Sequence, residues 1–162
     1  MKVHFTRLRV GHPEPLRQPV DRPGSWRVYV ICNGPSERLN TARDDIRACS
    51  SEADMLAMRT SFISFLAKAA TGLPLEALWD EKQCHEAFSF KHEHHEHKII
   101  RFWGAGKIRV YFVYLPSKVI VILKSKAKRS DKLTVGDETE LKDIAKSVCN
   151  TLQETSFEER VI

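Results

Sequence analysis

No run in this sequence is long enough or apolar enough to suggest a membrane-spanning helix. The longest apolar runs, 110–115 and 119–123, are a fraction of the ~20 residues such a helix needs. The four cysteines, Cys32, Cys49, Cys84 and Cys149, form no C-x-x-C pair and no disulfide framework, which fits a reducing compartment. Met1-Lys2-Val3-His4 leads into no apolar stretch, so no secretory signal is expected and the expected location is the cytoplasm. No internal repeat or low-complexity stretch is present. An acidic surplus is also missing. Lys and Arg number 26 against 21 Asp and Glu, for a net charge of +5 and a pI of about 9.1. That balance suits an anionic partner such as nucleic acid, or a basic protein with no such role. With 162 residues and 42% apolar content, the chain is long enough to bury a core as a single domain.

Proline is concentrated near one end. Pro13, Pro15, Pro19 and Pro23 interrupt any helix in residues 1–25, which also carry Arg7, Arg9, Arg17 and Arg22. That stretch is expected to be a basic, irregular N-terminal arm. A domain over 26–154 follows, and then an acidic tail, 155–162. Residues 26–32 are rich in β-branched and aromatic types and end at Asn33-Gly34-Pro35, which predicts a strand. Residues 36–50 are polar and read as a loop with at most a short helix. Ser51 and Asp54 form a capping pattern for a helix whose stripe is Met55, Met58, Phe62, Phe65, Leu66 and Ala69, stopped by Gly72 and Pro74. A shorter helix is expected over 75–85, with Leu75, Leu78 and Trp79 as its apolar face. Three strands in hairpin succession follow, over 98–103, 107–115 and 118–124. The last is apolar on both faces and so should be central in the sheet. Thr134 and Asp137 cap a final helix with Leu141, Ile144, Ala145, Val148 and Leu152 on one side.

Three groups of residues could carry chemistry. Along 107–115, alternation puts Ile108, Val110, Phe112 and Tyr114 on one face and Lys107, Arg109 and Tyr111 on the other. A guanidinium offers a planar fork to phosphate and a phenol ring offers a stacking surface, so this second face suits RNA; it equally suits an ordinary solvated sheet face. Lys124, Lys126, Lys128, Arg129 and Lys132 crowd the end of the central strand, opposed only by Asp131. They read as a phosphate pocket or as a solvated loop. His92, His94, His95 and His97 interleave with Glu93 and Glu96. They could be a polar connection, proton-transfer or RNA-contacting groups, or ligands of zinc or nickel. His97 abuts the hairpin and is the best placed of the four.

The order of these pieces resembles the RelE/ParE superfamily of bacterial toxins. The residues that carry the resemblance are His97-Lys98-Ile99-Ile100-Arg101-Phe102, the Gly104-Ala105-Gly106 turn, Ile108-Arg109-Val110-Tyr111, the 119–123 strand with Lys124, and Lys128-Arg129. Thr134 and the helix containing Leu141 are similar to the HigB-type branch. The likeness spans roughly 26–153 in topology and about 97–148 in motif. It implies an α+β fold: a mainly antiparallel four-stranded sheet, two helices before the C-terminal β-hairpins, and a C-terminal helix. It also implies the toxin of a toxin–antitoxin pair that cleaves mRNA on the ribosome, without metal or other cofactor, by attack of the RNA 2′-hydroxyl on the adjacent phosphate. The partner would then be a cognate antitoxin, acidic where it covers the basic surface. Carried over by position, Arg109, Lys128 and Arg129 would hold the scissile phosphate, and Lys98 and Arg101 would bind RNA or act in proton transfer; His97, from the histidine cluster, is a further catalytic candidate for proton transfer. Lys107, Tyr111, Lys124 and Lys126 would bind RNA as well. Many RelE-like chains carry a tyrosine near the C-terminus, but Leu133 and Thr134 occupy that region here, which moves base stacking to Tyr111 or a histidine. The other readings are a ParE-like toxin that acts on DNA gyrase, a non-catalytic RNA-binding or regulatory module, and a metal-binding regulator.

Overall fold

A computed structural model describes residues 3–8, 23–49, 51–127 and 132–154. The chain builds a single six-stranded sheet with helices on both faces. Strand β1 is His4–Arg7, β2 is Arg27–Cys32, α1 is Thr41–Cys49, α2 is Glu52–Ala69, β3 is Cys84–His92, β4 is His95–Ala105, β5 is Ile108–Leu115, β6 is Val119–Ala127 and α3 is Val135–Glu154. The sheet order is β1-β2-β6-β5-β4-β3. All neighbours are antiparallel except β2 and β6, which run parallel with Arg27 opposite Val119.

The expected four-stranded, mainly antiparallel sheet is therefore corrected to a six-stranded mixed one, and both additional strands are edge strands. The four prolines of the N-terminal segment all follow Arg7 in sequence, so they leave 4–7 free to extend. Phe5, opposite Ile31, is fully buried. Residues 9–22 of the expected arm lie outside the described residues, as does the acidic tail. In the 75–85 segment the helical spacing of Leu75 and Leu78 produces only a 3₁₀ turn, Leu75–Ala77, before the chain extends at Cys84. The alternation of β3 is hidden in the sequence because a bulge between Glu86 and Phe88 exchanges the faces part-way along it. Within 36–50, α1 buries Ala42 and Ile46, one turn apart, among the described side chains, a short apolar stripe.

Other expectations hold. The Ser51 hydroxyl accepts from the Asp54 N–H, and the Thr134 hydroxyl from the Asp137 N–H. Met58, Phe62, Phe65, Leu66 and Ala69 are buried along α2, as are Leu141, Ala145 and Val148 along α3. β6 lies between β2 and β5 and is buried on both faces. One core layer packs α1 and α2 against Val28, Val30, Phe102, Val110, Phe112 and Ile122. The other packs α3 against Tyr29, Ile99, Tyr111, Val113, Val121 and Leu123. The face of β5 expected to be solvated is thus a second core.

Candidate anion-binding site

The β4–β5 hairpin positions the site. Its register sets Arg101 opposite Tyr111 and Trp103 opposite Arg109. Odd-numbered positions of this ladder share the α3 face with Ile99 and Val113. Burial declines towards the Gly106 turn: Tyr111 is 4% exposed, Arg109 7% and Trp103 39%. Arg101, Trp103 and Arg109 line a cavity of about 440 Å³ with Glu81, Lys82 and His85.

Local hydrogen bonds hold these groups in place. The Trp103 indole N–H donates to the Gly106 carbonyl at 2.8 Å, and Nη1 of Arg109 donates to the carbonyls of Gly106 and Ile108, both at 3.2 Å. The Arg109 guanidinium carbon lies 5.1 Å from the Trp103 ring centroid. The backbone N–H of Trp103 donates to the Gln83 carbonyl at 2.7 Å, tying β4 to the turn that carries Glu81 and Lys82. Two features favour an anion. The Nε atoms of Arg101 and Arg109 are both buried without a hydrogen-bond partner among the described residues. Burial, followed by the nearby Arg101 charge, also lowers the Arg109 pKa from its usual value. A bound anion would relieve both costs. His85 places Nδ1 2.7 Å from the Glu81 carbonyl oxygen. The tautomer that donates there keeps Nε2 as the basic nitrogen.

Of the remaining expected site residues, Lys126 lies opposite Arg109 and Lys124 opposite Tyr111 in the β5–β6 ladder, whereas Lys98, Lys107 and His97 lie apart from them. Tyr111 lies within the second core, where burial raises its phenol pKa above the usual value, so it offers no open stacking face. Lys126 Nζ donates to Asp137 Oδ1 at 2.9 Å and also to Glu140. Lys124 Nζ is 3.5 Å from Asp45 and 3.4 Å from Glu140. The carboxylates of α1 and α3 thus answer these two cations. Lys107 is exposed at the hairpin turn, and Lys98 is exposed on the face opposite Arg101. His97 lines a different cavity and does not join Arg109. Lys128 and Arg129 lie outside the described residues. Among the described residues, no group of three or more His, Cys, Asp or Glu side chains is placed to hold a metal ion. No described helix is long and apolar enough to cross a membrane.

The sequence reading missed Trp103, His85, Lys82 and Glu81. Trp103 could have been found by counting the hairpin register back through the Gly turn from Arg109. His85 could not, because the segment expected to hold it in a helix is instead an edge strand. No protein-family model, curated protein or solved structure matches this chain.

Proposed function

We propose that this chain binds single-stranded RNA at the Arg101–Arg109 cavity. The observation that carries the reading is the pair of guanidiniums with unpartnered, buried Nε atoms beside the partly exposed Trp103 indole. Arginine pairs suit phosphodiester oxygens, and an indole suits a base unstacked from its neighbours. In the catalytic form of the reading, the chain cleaves mRNA on the ribosome without metal. The 2′-hydroxyl attacks the adjacent phosphate while Nε2 of His85 takes its proton; the P–O5′ bond breaks to leave a 2′,3′-cyclic phosphate, the departing 5′-oxygen takes a proton from the imidazolium or from water, and Arg101 and Arg109 stabilise the charge that develops on the phosphoryl oxygens. Lys124 and Lys126 hold the fold together in this reading. A cognate antitoxin would inhibit by presenting a carboxylate to Arg101 and Arg109.

The test is fluorescence anisotropy with labelled single-stranded RNA, single-stranded DNA and duplex RNA, on the wild type and on Arg101→Ala. Primer extension on translating ribosomes follows, with and without EDTA. The reading expects RNA to bind more tightly than duplex, Arg101→Ala to weaken it, and cleavage to survive EDTA. Binding of single-stranded RNA that is unaffected by Arg101→Ala would remove the site. Tight binding without cleavage would leave the non-catalytic RNA-binding reading. Gyrase inhibition without RNA binding would favour the ParE-like one.

A further inference from the structure

The histidine cluster takes no part in the Arg101–Arg109 site, yet it forms one wall of another cavity. β3 and β4 meet at a two-residue turn, Glu93-His94, with His92 opposite His95 and Phe90 opposite His97. Alternation puts Phe90, His92, His95 and His97 on the α3 face. His97 stacks on Phe90 with ring centroids 5.5 Å apart, and its centroid is 6.5 Å from that of His92. Nε2 of His92 sits 3.0 Å from Asn150 Oδ1 on α3. This end of the sheet and the C-terminal half of α3 enclose about 480 Å³, within the size range of small-molecule sites.

The lining divides into two kinds. Leu115, Pro116, Val119 and Leu152 make an apolar wall, and the imidazoles of His92, His95 and His97 face it together with Arg27. Among the described residues Glu93 is the one carboxylate in the lining; it accepts a hydrogen bond from Gln153 and lies 4.0 Å from Nε2 of His92. Cys149 is a neutral thiol in this setting, its pKa pushed up by burial and then by Glu93. Two turns at the rim hold non-glycine residues in left-handed backbone: Glu93 and His94 at φ 50° and 68°, and Ser117 and Lys118 at φ 64° and 57°. Hairpin turns of this kind ordinarily take Asn and Gly, and residues held in such conformations cluster at ligand clamps. His97 and Arg101 lie on the same face of β4 four residues apart, so this cavity is separated from the guanidinium pair by roughly 13 Å.

We propose that this cavity is a second ligand site, for a small amphiphilic carboxylate whose apolar body lies against Leu115, Val119 and Leu152 and whose carboxylate meets the imidazoles and Arg27. The proposal is independent of RNA binding at the other cavity. The charged and titratable groups that line it are Arg27 from β2, the three imidazoles and Glu93 from the β3–β4 hairpin, and Cys149 from α3. Burial and the neighbouring His92 and His95 lower the His97 pKa, so His97 is the imidazole for which a carboxylate would do most to favour the proton.

The test uses octanoate as probe and octanol as its neutral counterpart, titrated into the full chain and followed by backbone amide shifts in two-dimensional NMR. Octanoate is expected to shift the amides of Arg27, His97, Ser117 and Cys149. Octanol should bind at least tenfold more weakly. Leu152→Trp, which fills the apolar side, should abolish the shifts with the melting temperature retained. Should that variant fail to fold, the wild-type amide map and the octanol comparison still decide. Shifts confined to other regions, equal binding of octanol, or a folded Leu152→Trp that binds octanoate normally would each overturn the proposal.

Discussion

Arg109 lies across the β4–β5 ladder from Trp103, its guanidinium carbon 5.1 Å from the indole centroid, and both side chains donate to one carbonyl, that of Gly106. The turn therefore sets the position of both groups, and neither needs a contact from α3. A cation held this way, 7% exposed and beside a second arginine, is costly to bury without an anion.

Replacing it should accordingly separate stability from binding. Arg109→Met removes the buried cation and keeps most of the side chain's volume. It is expected to raise the unfolding free energy by about 1 kcal/mol and to weaken RNA binding by roughly tenfold or more. Urea denaturation and anisotropy on the same preparation measure both. A fall in stability would mean that the guanidinium is held for the fold rather than for a ligand.

Trp103 makes the complementary prediction. Trp103→Ala should cost about 1–3 kcal/mol of single-stranded RNA affinity, the usual worth of one stacked base. Affinity for inorganic tripolyphosphate, which has no base to stack, should change little. Equal losses for both ligands would show that the indole acts only by ordering Arg109.

Beside Arg109, on the neighbouring strand, the start of α3 closes on Lys126. The hydrogen bond from Lys126 holds the Asp137 carboxyl below its usual range. Burial pushes the Glu140 carboxyl up, but the hydrogen bond from Lys126 and the Lys124 charge outweigh it, so this carboxyl is lowered too. A carboxyl with a depressed folded-state pKa adds stability that is fully present above its unfolded pKa and is lost as pH falls through the folded one. Stability should therefore decline as pH drops through the ordinary values of 4.5 for Glu and 3.8 for Asp and on to the lowered ones. Both carboxylates are about a third or more exposed, so solvent screening keeps the effect near 1 kcal/mol. Thermal melts from pH 7 to 3 should show Lys126→Met flattening this dependence, and an unchanged slope would count against the network.

The close approach of α2 to β4 supplies a packing test. The Ser61 hydroxyl donates to the Gly104 carbonyl at 2.5 Å, and a Cβ on Gly104 would lie 2.1 Å from Met58 Sδ. Gly104→Ala should cost about 1–3 kcal/mol by overpacking. Pairing it with Met58→Ala should relieve the clash, so that the double variant loses less than the sum of the two single ones. Additive losses in denaturant titrations would place the strain elsewhere.

Several parts of this molecule were readable from local pattern. The capping hydroxyls of Ser51 and Thr134, the α2 and α3 stripes and the central position of β6 follow from spacing that a helix or strand imposes on its own residues. Arg109 was singled out for its neighbours in sequence, but its setting was misjudged. Alternation says which residues share a face and is silent on whether a helix covers that face. Only the docking of α3 decided that Tyr111 is core, and only the docking of α1 and α3 together that Lys124 and Lys126 are answered by Asp45, Asp137 and Glu140, carboxylates as far as 79 positions away. The β3 bulge likewise broke the period that would have revealed an edge strand, and with it the place of His85 beside Arg101 and Arg109. Local periodicity is written into neighbouring residues, whereas a cavity or a charge balance is made by elements distant in the chain, and their meeting depends on the whole sheet order.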